Sequence, residues 1–405
     1  MRVMQINSTY GCGSTGLIVK DIDSALWNAG IESIVVYHSA NSQPKIGYQV
    51  GDKFTSKLHA ALARIYGAQG YGSIFSTMRI QRIISREKPD VIHLHNLHSN
   101  YVHLNMLLSY IAKKEIPTIL TLHDCWFFTG KCFHFLPSHC EKWKTSCGNC
   151  PRLKMDIPSI LFDQTERVFR DKLSHFQKIP NLTVVGCSKW MTELAMHSPV
   201  FQGKKYVQIY NGVDQTVFYP RSESERETLK DEFGVKGNFV ILGMANKWLI
   251  DENKRVFQEI VSKSEFTLCL VGCSEAQKEE LHQYSNVVAL GFISNRDELS
   301  KIYAMSDVFV NLTLVDTLPT VNMEALSCGT PVITYNSAGS PELVSEAITG
   351  FVVEQFDSKC LINRIQAIFN NAICRDACSK YARNYFEVDS QYKRYVRLYQ
   401  EVVKK

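Results

Sequence analysis

Short apolar runs alternate along the chain with longer amphipathic stretches, and they fall into two series. The first series predicts strands at residues 2–6, 33–37, 91–94, 118–122, 182–186 and 206–209. The second predicts strands at 239–244, 267–271, 287–290, 308–311, 331–334 and 350–353. Valine- and isoleucine-rich strands separated by helical stretches are typical of parallel sheets covered by helices on both faces. The pattern therefore predicts an α/β protein.

A charged segment, residues 221–236, separates the two series. A single sheet containing both series would be unusually large, so the pattern favours two doubly wound units in tandem. We place the boundary after residue 211 and a hinge near 211–220. From residue 386 onward, apolar side chains recur with the spacing of an amphipathic helix, and they are Tyr392, Tyr395, Val396, Tyr399 and Val403. The apolar stripe of this predicted helix must dock on another part of the protein.

The charge balance excludes one class of function. The 405 residues include 45 Lys and Arg against 40 Asp and Glu, a formal net charge of +5. This surplus is too small and too evenly spread for a dedicated nucleic-acid binder, although it is compatible with contact to an anionic membrane. No apolar run approaches the ~18 residues of a transmembrane helix, and no secretory signal is evident. We therefore expect a cytoplasmic protein, with peripheral contact to the inner membrane left open.

A glycine-rich motif follows the first predicted strand. Gly11, Gly13 and Gly16 match G-x-G-x-x-G and stand where a helix should begin, which predicts a phosphate near the helix N-terminus. A dinucleotide site would also need an acidic residue at the end of the second strand. That position carries Val-Tyr-His-Ser at 36–39, so a nicotinamide cofactor is excluded. A tight turn with no ligand remains the alternative.

Histidines stand at the ends of two predicted parallel strands, where open α/β sheets bind their ligands. They are His93 and His95 on one strand and His123 after the next. His123 is the stronger candidate because Asp124 follows it directly. A structural role for His93 or His95 remains open.

Four cysteines, Cys132, Cys140, Cys147 and Cys150, end in a C-x-x-C pair within an apparent inserted flap, residues 125–151. Such a pair can place two thiolates on a structural zinc ion. Free thiols in a packed loop and disulfides are the alternatives. The flap is also rich in aromatic residues, which we expect to offer a surface to a sugar or a lipid. These residues are Trp126, Phe127, Phe128, Phe133, Phe135 and Trp143.

The segment 316–331 combines two acids with a helix start. Asp316 closes the loop after a predicted strand, and Glu324 lies one turn inside the following helix. Carboxylates beside free backbone N–H groups suit a ligand that carries hydroxyls and an anion together, as a nucleotide sugar does. Alternatively, Asp316 caps the helix and Glu324 pairs with a surface lysine.

With these motifs, and with Asn-Gly-Val-Asp at 211–214, Lys254 and Ala-Met-Ser-Asp-Val at 304–308, the chain resembles family-4-type retaining glycosyltransferases of the GT-B fold. The resemblance implies two Rossmann-like domains facing across a cleft. Residues 1–211 would form the acceptor-side domain and 212–385 the nucleotide-sugar-binding domain, with the 386–405 helix packing back on the first. The flap resembles a bacterial subset of the family associated with capsule and exopolysaccharide assembly.

The resemblance also implies roles for individual residues. In the second domain, Glu324 would hold the ribose and Lys254 would neutralise the leaving diphosphate. In the first domain, His123 would line the sugar site. The remaining donor contacts would come from Asp316, Leu318, Pro319, Thr320, Asn246, Lys247, Gly11 and Gly13. No metal is needed for catalysis in this scheme, because a lysine and helix N-termini supply the positive charge.

The implied reaction moves a sugar, with retention of configuration, from a nucleotide-diphosphate sugar to a glycan or a lipid-linked saccharide. Two other functions remain open. One is a nucleotide-sugar 2-epimerase on the same scaffold, and the other is an inactive zinc-knuckle binding protein.

Overall fold

A computed structural model describes residues 1–237 and 239–404. Lys405, the last residue of the predicted C-terminal helix, and residue 238, within the predicted second domain, lie outside the described residues. The chain divides into two compact units. The first comprises Met1–Asn211 and the chain from Asp389 onward, and the second comprises Gly212–Val388.

The first unit is built on a parallel sheet of seven strands. In chain order these are β1 (Arg2–Ile6), β3 (Glu32–Tyr37), β5 (Gly47–Gln49), β6 (Val91–Leu94), β7 (Thr118–Leu122), β8 (Leu182–Gly186) and β9 (Lys205–Gln208), while β2 (Thr9–Tyr10) and β4 (Ser39–Ala40) pair separately. The spatial order is β5-β3-β1-β6-β7-β8-β9, and every pair is parallel. β5 was not predicted, because this short edge strand is partly exposed and lacks a run of apolar residues.

Helices cover the sheet of the first unit. They are α1 (Gly13–Asn28), α2 (Lys53–Tyr66), α3 (Ile74–Glu87), α4 (Leu104–Lys114), α5 (Thr165–Gln177) and α6 (Lys189–His197). The flap between β7 and α5 has only three-residue helical turns, at Trp126–Phe128, Leu136–Ser138 and Lys142–Lys144.

The second unit repeats this architecture with six parallel strands. These are β10 (Val240–Met244), β11 (Thr267–Val271), β12 (Val287–Leu290), β13 (Val308–Asn311), β14 (Val332–Tyr335) and β15 (Gly350–Val353), in the order β12-β11-β10-β13-β14-β15. Its helices are α7 (Glu223–Glu232), α8 (Ala245–Trp248), α9 (Lys254–Val261), α10 (Glu275–Leu281), α11 (Arg296–Met305), α12 (Thr320–Ser327), α13 (Ser358–Asn370) and α14 (Arg375–Phe386). The predicted α/β class with two parallel sheets is confirmed.

The last helix, α15 (Val388–Val403), returns to the first unit. Its buried stripe includes Tyr395, whose hydroxyl lies 3.0 Å from Thr121 Oγ1 of β7. The helix begins after residue 386, the predicted start of this segment, because Phe386 still belongs to α14. The Phe386 carbonyl accepts the Val213 N–H at 2.7 Å, which ties that end of α14 to the second unit.

Among the described residues, no helix combines the length and the apolar character that are needed to cross a membrane.

Candidate active site

The glycine-rich loop follows β1 and leads into α1. Gly11 and Gly13 have positive φ angles of 67° and 65°, which glycine adopts without strain. A Cβ on Gly16 would lie 2.7 Å from Thr9 Oγ1, so this glycine permits close packing of α1 on β2. No side chain caps the N-terminus of α1. First-turn N–H groups of a helix can bind an anion, and phosphate binding by this loop stays a prediction.

Asn7 joins the glycine-rich loop to the neighbouring strand. Its Oδ1 accepts the backbone N–H of Asn96 at 3.0 Å, and its Nδ2 donates to the Thr9 carbonyl at 2.7 Å. Asn96 directly follows His95, so the loop after β1 and the end of β6 are held together. The sequence analysis missed Asn7, although a polar residue directly after a buried strand is the signal that could have found it.

His93 has a structural environment. It is fully buried, with Nδ1 2.6 Å from the Tyr399 hydroxyl and Nε2 2.7 Å from Thr121 Oγ1. Burial lowers the pKa of His93, so the ring is neutral at ordinary pH. Of His93 and His95, for which a structural role was left open, His93 is the one that has it.

His123 lies at the carboxyl end of β7, beside His95. His95 Nδ1 is 3.0 Å from His123 Nε2, and the two rings stack with centroids 5.4 Å apart. Burial lowers the pKa of His123 to about 4, and the nearby charge of Asp124 offsets only part of that shift. The imidazole is therefore neutral near pH 7. It can exchange hydrogen bonds with a hydroxyl group without adding a charge to the site.

The carboxylate of Asp124 contacts a histidine that the sequence analysis did not identify. Its Oδ2 lies 3.0 Å from His98 Nε2, and its Oδ1 accepts the Trp126 N–H at 2.8 Å. Burial alone would raise the pKa of Asp124. The hydrogen bond and charge of His98, with the Trp126 N–H, instead hold that pKa below its ordinary value. His98 lies in the loop after β6, where no strand pattern marked it.

The aromatic residues of the flap are buried, so the prediction that they offer a surface to a sugar or a lipid is wrong. Trp126, Phe127, Phe128, Phe135 and Trp143 are at most 4% exposed, and Phe133 is half-buried. Phe128 packs against Trp143 with ring centroids 5.4 Å apart, and Phe127 packs against Phe176 of α5 at 5.8 Å. The flap contains no strand, so large side chains must turn inward to form its core.

The four flap cysteines line one small cavity, and they are Cys132, Cys140, Cys147 and Cys150. All are free thiols, so the disulfide alternative is wrong. Cys147 Sγ accepts the Gly130 N–H at 3.2 Å. As these side chains are placed, no three histidine, cysteine or acidic groups among the described residues could hold a metal ion. Zinc binding stays a prediction.

Glu324 lies in α12 and is partly buried. Its Oε2 accepts the Tyr303 hydroxyl at 3.2 Å. The described partner of Glu324 is therefore a tyrosine, not the surface lysine that the alternative interpretation expected. Burial raises the pKa of Glu324 to about 7, against the opposing influence of Arg296 and Tyr303. When ionised, its two oxygens can accept hydrogen bonds from neighbouring hydroxyls of a ligand.

Asp316 orders the loop in front of α12 rather than capping that helix. Its Oδ1 accepts the Leu318 N–H at 3.0 Å, and its carbonyl accepts the Gly339 N–H at 3.1 Å. The N-cap of α12 is Pro319, and no side chain caps the helix. Leu318 and Pro319 are buried and Thr320 is half-buried. The capping alternative for Asp316 is therefore wrong.

Two buried asparagines brace the same loop and were missed by the sequence analysis. Asn311 Nδ2 donates to Asn322 Oδ1 at 2.8 Å, and Asn311 Oδ1 accepts the Thr313 N–H at 3.1 Å. These bonds tie the end of β13 to α12. An amide at the last position of a buried strand was the available signal.

Lys254 is the exposed first residue of α9. It lines a cavity of about 230 Å³ together with Gln277 and Glu280 of the α10 region, and neither Asp316 nor Glu324 lines that cavity. Its role as a diphosphate ligand stays a prediction.

The loop before Lys254 is held in place by Asn253, which is fully buried. Asn253 Nδ2 donates to the Lys247 carbonyl at 2.8 Å, and its Oδ1 accepts the Tyr335 hydroxyl at 2.7 Å. Lys247 is half-buried and Asn246 is exposed, both in α8.

The sheet topology explains why these residues lie where they do. In the second unit the strand order reverses between β10 and β13, and the segments carrying Lys254 and Asp316 follow those two strands. In the first unit it reverses between β1 and β6, which lead to the glycine-rich loop and to His95. Open α/β sheets bind ligands outside the carboxyl ends of strands at such switch points. Each unit thus has candidate residues at its switch point.

Comparison with known proteins assigns both units. The model described as "Glycosyltransferase Family 4" matches residues 17–217, and the one described as "Glycosyl transferases group 1" matches residues 249–385.

Relatives support the same assignment over the whole length. The chain is 24% identical to the putative colanic acid biosynthesis glycosyl transferase WcaC of Escherichia coli, over 99% of the chain and 100% of WcaC. It is 27% identical, over 44% of the chain and 48% of the relative, to the Escherichia coli UDP-Gal:alpha-D-GlcNAc-diphosphoundecaprenol alpha-1,3-galactosyltransferase. The crystal structure of Anabaena HepE in complex with UDP shares the fold, with a TM-score of 0.69 at 17% identity over 99% of the chain and 100% of HepE. The chain belongs to the family-4-type glycosyltransferases and has their GT-B fold.

Proposed function

We propose that this glycosyltransferase moves a sugar, with retention of configuration, from a nucleotide-diphosphate sugar to a saccharide or lipid-linked saccharide during bacterial surface polysaccharide synthesis. The observation that carries the proposal is the switch-point arrangement of the second unit, where Asp316, the uncapped α12 and Glu324 follow one central strand. Three relatives support it by name. WcaC is assigned to colanic acid, HepE was crystallised with UDP, and the galactosyltransferase acts on a diphosphoundecaprenol-linked sugar.

On this proposal the donor's ribose hydroxyls bind to Glu324. The diphosphate lies at the start of α12, where the Thr320 N–H and the helix dipole favour an anion. Lys254 supplies the positive charge that stabilises the departing diphosphate. The glycine-rich loop of the first unit, at Gly11 and Gly13, adds further N–H donors.

The proposed chemistry takes place on one face of the donor sugar. The bond from the anomeric carbon to the diphosphate oxygen breaks, the acceptor oxygen bonds to that carbon, and the acceptor proton passes to the departing oxygen. A neutral His123 suits this step because it can orient a sugar hydroxyl without placing a second positive charge beside a cationic transition state. The protein acts by orientation and electrostatic stabilisation, and we propose that it needs no metal cofactor for catalysis.

The proposed setting is the cytoplasmic side of the inner membrane, where a lipid-linked acceptor would be presented. Peripheral contact with that membrane is part of the proposal.

Two alanine variants test the donor site. Lys254→Ala and Glu324→Ala should each lower transfer at least a hundredfold, because both residues act on the donor. Lys254→Ala should leave the melting temperature unchanged because Lys254 is exposed, whereas Glu324→Ala also removes the acceptor of the buried Tyr303 hydroxyl and should lower it somewhat. Lys301→Ala is the matched control, since this lysine pairs at 3.7 Å with Glu232 in the same unit. The donor is first identified by the nucleotide sugar that most raises the melting temperature, since a ligand that binds only the folded state stabilises it.

The assay also separates the competing functions. The anomeric configuration of the product, read by NMR, tests retention. A new sugar nucleotide formed from donor alone would indicate the 2-epimerase. Wild-type transfer in Lys254→Ala or Glu324→Ala would show that the site has been assigned to the wrong residues.

A further inference from the structure

Helix α2 exposes its apolar side chains instead of burying them. Of its fourteen residues, only His59 and Ala63 are buried. Its large apolar side chains are exposed, and they are Phe54 at 76%, Leu58 at 51%, Leu62 at 42%, Ile65 at 37% and Tyr66 at 55%. Most of these follow a spacing of three to four residues, so they form one stripe along the helix. In a globular protein such a stripe normally faces the core.

Two neighbouring segments extend the stripe. The backbone N–H of Ile160 donates to the Arg64 carbonyl at 2.7 Å, and the Tyr66 and Phe162 rings stack with centroids 6.3 Å apart. On the other side of α2, His59 Nδ1 lies 2.9 Å from Ser73 Oγ at the start of α3. Both segments expose large apolar side chains, namely Ile74, Phe75, Ile160, Leu161 and Phe162. We call α2 with residues 74–75 and 160–162 the α2 surface.

Basic residues outnumber acidic ones around this surface, which is bordered by the exposed acids Asp52 and Asp163. From residue 53 through residue 86 the sequence contains no aspartate or glutamate. The charged residues of this stretch are all basic, and they are Lys53, Lys57, Arg64, Arg79, Arg82 and Arg86. An apolar stripe flanked by basic residues is the composition of helices that lie in the interface of an anionic bilayer.

We propose that the α2 surface docks on the anionic face of a lipid bilayer, with its aromatic and aliphatic side chains at the headgroup boundary. The inference rests on the proposed function, because a lipid-linked acceptor is presented at such a face. A symmetric contact between two copies would bring together two surfaces of the same net positive charge, and this repulsion opposes such pairing. An anionic bilayer satisfies both the apolar stripe and the charge.

Vesicle sedimentation with the full-length protein tests the proposal. Binding should be strong to vesicles of phosphatidylcholine with phosphatidylglycerol and weak to phosphatidylcholine alone, and it should fall as salt rises. Lys53→Gln with Lys57→Gln should lower the partition coefficient roughly 25-fold, at about fivefold for each charge. Phe54→Gln with Phe75→Gln should lower it at least tenfold, because their apolar area no longer leaves water.

Phe292→Gln is the matched control, since Phe292 is 84% exposed in the second unit, and it should bind vesicles like the wild type. The proposal is overturned if the control and the Phe54/Phe75 variant bind equally, or if those substitutions instead abolish a dimer in solution. Transfer to a detergent-solubilised acceptor separates the two claims. If the Phe54/Phe75 variant loses vesicle binding but keeps transfer in detergent, the α2 surface is supported independently of the active site. If the wild type binds vesicles but transfers no sugar, the proposed function is contradicted and the α2 surface stands.

Discussion

Glu324 has a carboxyl group that titrates within the range of an ordinary binding assay. Burial raises its pKa to about 7, so the group is mostly protonated at pH 6 and mostly ionised at pH 8. The ionised form has more acceptor sites for the ribose hydroxyls. We therefore expect the affinity for the nucleotide sugar to increase several-fold, up to about tenfold, from pH 6 to pH 8.

Titration calorimetry at several pH values measures this dependence. A nucleotide sugar is a suitable probe because its diphosphate is esterified at both ends, so the ligand itself does not change its charge between pH 6 and pH 8. Glu324→Gln keeps the shape of the side chain without its titration, so its affinity should be lower and nearly independent of pH. The same slope in the wild type and in Glu324→Gln would assign the dependence to another group.

Individual site residues differ in how far the sequence could reveal them. Asp316 lies in the loop before α12 and Glu324 in that helix, so the sequence alone could assign both to one segment. His95 and His123 lie on different strands, and their 3.0 Å contact depends on β6 and β7 being neighbours. His98 could not be found by pattern, because a loop has no period that predicts where a side chain points.

At the scale of elements, the central strands were predictable and the flap was not. Buried parallel strands are short and uniformly apolar, so each one can be recognised in the sequence as an apolar run. The flap has no such period, and its aromatic residues could be assigned to a surface or to a core with equal ease. Trp126 and Trp143 lie in that core together with Phe127, Phe128 and Phe135.

The thiol cavity of the flap leads to a test of the zinc prediction. If the four cysteines bind zinc, the purified protein contains about one zinc ion per chain by mass spectrometry, and a chelator lowers its melting temperature. Cys147→Ser with Cys150→Ser should remove the metal. Cys374→Ser should retain it, because Cys374 is an exposed cysteine of the second unit. A metal-free wild type with an unchanged melting temperature in the double variant would mean that the thiols only pack.

At the scale of the whole molecule, the first unit contains both ends of the described chain. The second unit is therefore an insertion between β9 and α15 in the connectivity of the first. Sequence periodicity predicted the helix and its apolar stripe. It could not show which strands receive the stripe, because that depends on contacts about 300 residues apart, such as the one between His93 and Tyr399.

This connectivity predicts that the first unit depends on the last seventeen residues of the sequence. Tyr399→Phe leaves His93 Nδ1 buried without its partner, at a cost of about 1–3 kcal/mol to the first unit. Deletion of residues 389–405 also uncovers the apolar groups beneath α15 and should prevent stable folding of that unit.

Hydrogen exchange measures both effects. Tyr399→Phe should speed exchange in β6 and β7 and leave β10 and β13 unchanged, whereas Tyr219→Phe, an exposed tyrosine of the second unit, should alter neither pair. Equal exchange in β6 and β7 of Tyr399→Phe and the wild type would show that α15 does not stabilise the sheet through this contact.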